Sequence, residues 1–143
     1  MLVMSILLII YTKFDIKSII FIGGIIFTIG VNEWILKNIF DRTRPIPNNW
    51  WIKASSSSFP SGHSACASFM YSYLIFIVSK FNFNSKTRKI LYATFVLLIC
   101  MVMVSRMVLG VHYFSDVCAG ACVGLVISSI MIVIYNVVER YSL

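Results

Sequence analysis

Residues Ser105–Asp116, SRMVLGVHYFSD, set an arginine, a histidine and an aspartate between two apolar runs. KILYATFVLLICMVMV, residues 89–104, precedes them, and VCAGACVGLVISSIMIVIYNVV, residues 117–138, follows. Lipid offers backbone N–H and C=O groups no partners, so only helices and closed barrels span it. The flanking runs are long and do not alternate, which selects helices. An arginine at the bilayer centre costs about 2.5–3.5 kcal/mol on insertion scales. The stretch therefore belongs at an interface, facing protein or water, and its ionisable groups need a use.

The rest of the chain has the same character. Of its 143 residues 59% are hydrophobic and only 12% charged, against about 45–50% apolar and about 25% charged in soluble domains. A soluble globule this small has too much surface for its volume to hide so many apolar side chains. Five apolar segments stand out, near 1–12, 18–36, 62–79, 90–110 and 116–138. The last four are long enough to cross the hydrocarbon, which takes about 20 helical residues. The first is short, and lacks the basic start and small-residue cleavage site of a signal peptide. It is either a truncated span or one whose upstream part is missing. The expected fold class is all-α: a polytopic transmembrane helical bundle of about five spans, forming a single membrane domain over residues 1–143.

The net charge of +7 raises the question of an anionic partner. No basic helix or aromatic–basic platform supports nucleic acid. Two uses remain, topology and anion binding within a site. Lys13, Lys17, Lys80, Lys86, Arg88, Lys89 and Arg140 fall on one set of connections, which marks that side as cytoplasmic. The 37–61 connection and the 105–116 stretch then face away from the cytoplasm. Cys66, Cys100, Cys118 and Cys122 all lie within apolar runs, so they read as small packed hydrophobes and not as a disulfide or zinc framework.

The 37–61 connection holds all three prolines, Trp50 and Trp51, and a serine run at 55–58. The tryptophans suit interfacial anchoring, and the serines read as a flexible linker. Chemistry flanks both ends. KNIFDRTRP, residues 37–45, places Lys37 and Arg44 where the second segment leaves the bilayer. Its plain reading is snorkelling at a helix end, and Glu33 can pair with Lys37 at i,i+4. FPSGHSA, residues 59–65, provides Ser61 as a helix cap, with Pro60 and Gly62 shaping a tight start. The N–H groups of such a start form an anion site, and His63 projects from the first turn; an ordinary helix start with an incidental histidine is the plain alternative. In the opening stretch Arg106, His112 and Asp116 follow at spacings of six and four. If that backbone is near-helical, Asp116 can hold the Nδ1 proton of His112 and leave Nε2 as nucleophile. Gly110 allows an unusual backbone conformation there.

Topology puts the three clusters on one face. Lys37, Arg44 and Arg106 are three cations for the three equatorial oxygens of a phosphoryl group in transfer, beside two histidines and a carboxylate. No carboxylate cluster is available to hold magnesium. The set argues against a protein that merely binds an anion without turning it over.

These residues resemble the type-2 phosphatidic acid phosphatase family, membrane relatives of vanadium haloperoxidases and glucose-6-phosphatase. The family pattern is Lys-x6-Arg-Pro, Pro-Ser-Gly-His and Ser-Arg-x5-His-x3-Asp. Here it reads KNIFDRTRP, PSGH and SRMVLGVHYFSD, in order and with internal spacing intact, over a motif-bearing core of residues 37–116. The resemblance implies a bundle commonly of six spans, one more than is legible here at the N-terminus, with its site at the extracytoplasmic mouth of a cell-membrane protein. It implies that Lys37, Arg44, Arg106, Ser61 and Gly62 hold the phosphate, that His112 attacks phosphorus to give a phosphohistidine with Asp116 orienting it, and that His63 protonates the leaving oxygen. Ser105 belongs to the motif without a settled role. Arg42 serves either the phosphate or the surface. No metal and no cofactor are implied. The expected partner is a lipid phosphate or diphosphate, such as a polyprenyl diphosphate, phosphatidic acid or phosphatidylglycerophosphate. A lipid phosphotransferase sharing the phosphohistidine step is the enzymatic alternative. His112 must be neutral while His63 is protonated, which predicts a bell-shaped pH–rate profile. Gly120 and Gly124 make a small-xxx-small face for close helix packing, most simply within one subunit.

Overall fold

The computed structural model describes residues 16–45 and 56–141. The expected first segment, Trp50, Trp51 and Ser55 lie outside them. Helix α1 (Ile16–Gly30) runs through a π-helical turn (Val31–Leu36) into the short α2 (Lys37–Phe40). Both joints keep right-handed helical backbone, at Gly30 (φ −58°, ψ −52°) and Leu36 (φ −68°, ψ −40°). The rod ends where Asp41 turns left-handed (φ 34°, ψ 47°) and its N–H caps the Lys37 carbonyl. Aspartate is one of the few residues with a side chain that tolerate this region. The expected 18–36 span therefore continues to Phe40, and Lys37 rides on its last turns.

Three further helices follow: α3 (Gly62–Lys80), α4 (Ser85–Val108) and α5 (Phe114–Tyr141). Ser61 caps α3 by accepting from the Ser64 N–H, and Asn84 caps α4 by accepting from the Thr87 N–H. Such caps satisfy N–H groups that the helix itself leaves open. Ser18–Phe40, α4 and α5 are long and apolar enough to cross a membrane.

Helix α3 is the more polar one because it is the inner one. Ala65, Phe69, Met70 and Tyr73 are buried on it, and two of its serines turn their hydroxyls back on the helix, Ser72 to the Ser68 carbonyl and Ser79 to the Phe76 carbonyl. It packs mainly on α5 and α4. The approach to α5 is a backbone approach. A Cβ on Gly120 would meet the Ser61 carbonyl, and one on Gly124 the Ala65 carbonyl and Ser68. The small-residue face thus serves packing within this chain. Phe21, Phe69 and Tyr73 stack with centroids 5.3–6.0 Å apart, and Phe76 meets Tyr135 edge-on at 5.0 Å.

Among the described residues α4 contributes none to the buried core. Val96, Leu97, Met101, Val104 and Val108 all point outward. In water such a face would aggregate; against acyl chains it is an ordinary solvent-facing surface. The ends of α2 and α4 and the starts of α3 and α5 meet at one mouth of the bundle. At the other end Lys80 pairs with Glu139 at 3.0 Å across α3 and α5.

Candidate active site

The three sequence clusters converge on that mouth. Lys37, Arg44, Gly62, His63, Arg106 and His112 line one cavity of about 250 Å³, with Glu33, Ser56 and Val111 completing its wall. Each cation is held by the fold before any ligand arrives. Lys37, only 7% exposed, has its ammonium 2.7 Å from Glu33 Oε1 and 3.1 Å from Ser56 Oγ. Arg44 is braced by backbone: Nε donates to the Ser56 carbonyl and Nη1 to that of Val111, both at 3.1 Å. Arg106 Nε donates to Ser105 Oγ at 3.2 Å, while that hydroxyl donates to the Val102 carbonyl at 2.7 Å. Preorganised donors of this kind need little reorganisation when an anion binds.

His112 sits in the connection between α4 and α5, just after Gly110 at φ 65°. Its Nδ1 lies 2.7 Å from the Ser58 carbonyl oxygen. A carbonyl only accepts, so Nδ1 carries the proton and a neutral ring keeps its lone pair on Nε2. Burial, assisted by the Arg44 cation, pushes the ring below its ordinary value of 6.5, against the pull of the Ser58 carbonyl and Asp116. The imidazole is thereby biased to the neutral form, and a neutral imidazole is a nucleophile.

Asp116 is reached differently than the i,i+4 spacing suggests. Its Oδ2 stands 3.6 Å from His112 Nδ1, beyond hydrogen-bond range, and accepts instead from Ser58 Oγ at 2.8 Å and the Tyr113 N–H at 2.9 Å. The aspartate thus caps the start of its own helix and pins the serine whose carbonyl holds the histidine. Its other oxygen pairs with Arg42 Nη1 at 2.7 Å. Arg42 also lies over the Tyr113 ring, 4.1 Å from the centroid, and donates to Ser115 Oγ. It is therefore engaged with the aspartate and is not among the residues that line the cationic cavity. Ser61 is fully buried as the α3 cap, and its N–H bonds the Asp116 carbonyl at 2.9 Å.

The serine run differs from a flexible linker in its described part. Ser56 touches Lys37 and Arg44, Ser57 accepts from the Arg42 N–H, and Ser58 is buried and bonded to Asp116. Nothing in four consecutive serines distinguishes a spacer from a set of ligands for side chains far along the chain. Only their adjacency to PSGH was a signal.

The cradle is closed off by the π-helical turn. An added Cβ on Gly62 would lie 2.7 Å from Glu33 Oε1 and 3.3 Å from Asn32 Oδ1, so the glycine is what lets this turn sit against the start of α3. Asn32 is fully buried, and neither of its amide atoms has a hydrogen-bond partner among the described residues. Buried orphan polar atoms and π-turns are both tolerated chiefly where function uses them. A second cavity, of about 280 Å³, adjoins the first; Ile29, Glu33, Gly62, His63 and Cys66 line it.

Residues 17–140 match the PAP2 superfamily model. The chain belongs to the PAP2 superfamily. Over 96 residues it is 38% identical to phosphatidylglycerophosphatase B of Bacillus subtilis (strain 168), a match spanning 65% of this chain and 46% of that relative's length. The crystal structure of a transmembrane PAP2-type phosphatidylglycerolphosphate phosphatase from Bacillus subtilis superposes with a TM-score of 0.80 at 26% identity, covering 98% of this chain and 69% of that one. With its apolar helices, this PAP2 chain is an integral membrane protein.

Proposed function

We propose that the protein is a lipid phosphatase that cleaves a phosphate ester or diphosphate through a phosphohistidine, without a metal. The observation that carries this reading is the His112–Ser58 contact: it fixes the tautomer with Nε2 free, at a cavity walled by Lys37, Arg44 and Arg106. The phosphoryl group sits among these cations and the first N–H groups of α3. His112 Nε2 attacks phosphorus as the ester P–O bond breaks. His63, protonated, gives its proton to the departing oxygen. A water then attacks the phosphoramidate, His63 takes a proton from it, and the P–N bond breaks to release phosphate and free His112.

An amphiphilic substrate suits the paired cavities. The polar one accepts the head; the one lined by Ile29 and Cys66 accepts the first carbons of the chain, with His63 on the wall between them. Phosphatidylglycerophosphate is the first candidate because the Bacillus subtilis relatives carry that name; phosphatidic acid and polyprenyl diphosphates present the same chemistry. The basic connection Lys80–Lys89 and Arg140 lie at the opposite end from the site, which supports an extracytoplasmic site in the cell membrane. The test is phosphate release by the purified protein from these lipids with a chelator present and no added acceptor. Release that His112→Ala abolishes supports the hydrolase. Release only on adding an acceptor alcohol would make it a phosphotransferase, and none from any lipid would make it a binding protein.

A further inference from the structure

Glu33 has no place in the mechanism above, yet it stands inside the machinery. Its carboxylate is 2.7 Å from the Lys37 ammonium and packs over Gly62 at the start of α3. It lines both the cationic cavity and the apolar one, as do only Gly62 and His63 among the residues named for the two. The pairing with Lys37 is thus more than decoration of a helix face: the lysine is buried in the cavity wall, while the glutamate side chain is 38% exposed and borders both cavities.

We propose that Glu33 is a substrate-selecting residue, disfavouring a charged leaving group and so preferring phosphate monoesters of neutral alcohols to diphosphates. The inference rests on the lipid phosphatase reading and names the substrate class within it. Lys37, Arg44 and Arg106 less Glu33 leave the fixed charges of the cradle at about +2, which a monoester dianion neutralises, while the proton on His63 goes to the leaving oxygen. In a diphosphate the terminal phosphoryl group takes the cradle, and the second must stand where the leaving oxygen does, beside His63 and Glu33. Its negative charge then meets the carboxylate in a partly enclosed site, where like charges a few ångströms apart repel strongly. An alcohol oxygen brings no such charge. The π-turn makes this placement hard to shed, because Asn32 on the same turn is buried against the same glycine.

The test uses the full chain in detergent and compares binding of orthophosphate and pyrophosphate by calorimetry, in the wild type, Glu33→Gln and Glu33→Asp. Glu33→Gln is expected to shift the ratio of the two affinities by about tenfold toward pyrophosphate, with Glu33→Asp staying near the wild-type ratio. The same shift is expected in kcat/KM for a prenyl monophosphate and diphosphate of equal chain length. A ratio unchanged in Glu33→Gln, a shift toward orthophosphate, or no binding of either anion by any of the three proteins would overturn the proposal. Loss of turnover on every lipid would instead strike the phosphatase reading, while the binding ratio still decides the role of Glu33.

Discussion

His112 Nδ1 is 2.7 Å from the carbonyl oxygen of Ser58 and 3.6 Å from the Asp116 carboxylate. The group that fixes the tautomer is therefore a main-chain oxygen, with the aspartate one step behind it, holding Ser58 Oγ and the Tyr113 N–H. Asp116→Asn leaves the carbonyl in place. It should lower kcat by about 10- to 100-fold, well short of the ~10⁴ that follows when a triad histidine loses its tautomer. Steady-state kinetics of Asp116→Asn beside His112→Ala checks this; equal losses would put the aspartate, not the carbonyl, in charge of the ring.

The pH dependence follows from the same ring. In the proposed mechanism attack needs neutral His112, so kcat/KM rises with pH through its titration. Loss of the His63 proton, itself made easier by burial and the Arg106 and Lys37 cations, then opposes the rise. Burial and the Arg44 cation lower the His112 titration below 6.5, so the acid limb should fall below that value, with an alkaline limb where the general acid is lost. Arg44→Gln removes a cation that disfavours the imidazolium, so it should move the acid limb to higher pH while raising KM. A pH series on both proteins measures the shift and its sign.

Arg42 and Arg44 are two residues apart and should behave differently. Arg44 lines the cationic cavity; Arg42 clamps Asp116. Arg42→Gln should lower kcat with little change in KM, and Arg44→Gln should raise KM. The Arg42–Asp116 pair has one partner fully buried and the other 39% exposed. Its loss should cost about 1–3 kcal/mol, less than the ~3–5 of a wholly buried pair, read as a fall in unfolding midpoint in detergent.

Gly124 and Gly120 differ in a similar way. Either as alanine drives a methyl into the backbone of α3, an overpacking cost of about 1–3 kcal/mol. Gly120 faces the Ser61 carbonyl, at the α3 cap, so Gly120→Ala should also depress turnover, whereas Gly124→Ala should mainly lower the midpoint. Thermal unfolding and kcat of the two variants separate the effects.

Much of this was legible in the residues. The apolar runs announce helices because lipid admits only helices and closed barrels and these runs do not alternate, and four expected segments map onto the described helices to within a few residues at most ends. The motifs gather where topology said they would, because a helix end and its neighbour's start share one mouth. What stayed hidden was partner choice at short range. Nothing local tells that Arg42 turns to Asp116 while Arg44 turns to the cavity, nor that a serine carbonyl displaces a carboxylate as the histidine's partner. Glu33 read as half of an i,i+4 pair; only the approach of the π-turn to Gly62 puts it in the site.

The central claim is that His112 becomes phosphorylated. The direct measurement is to quench the protein during turnover of a lipid phosphate, with chelator present, and map any acid-labile phosphoramidate by mass spectrometry. The account predicts a phosphoryl group on His112, absent from His112→Ala, with phosphate release lost in that variant. Turnover in wild type with no adduct on His112, or undiminished release by His112→Ala, would contradict it.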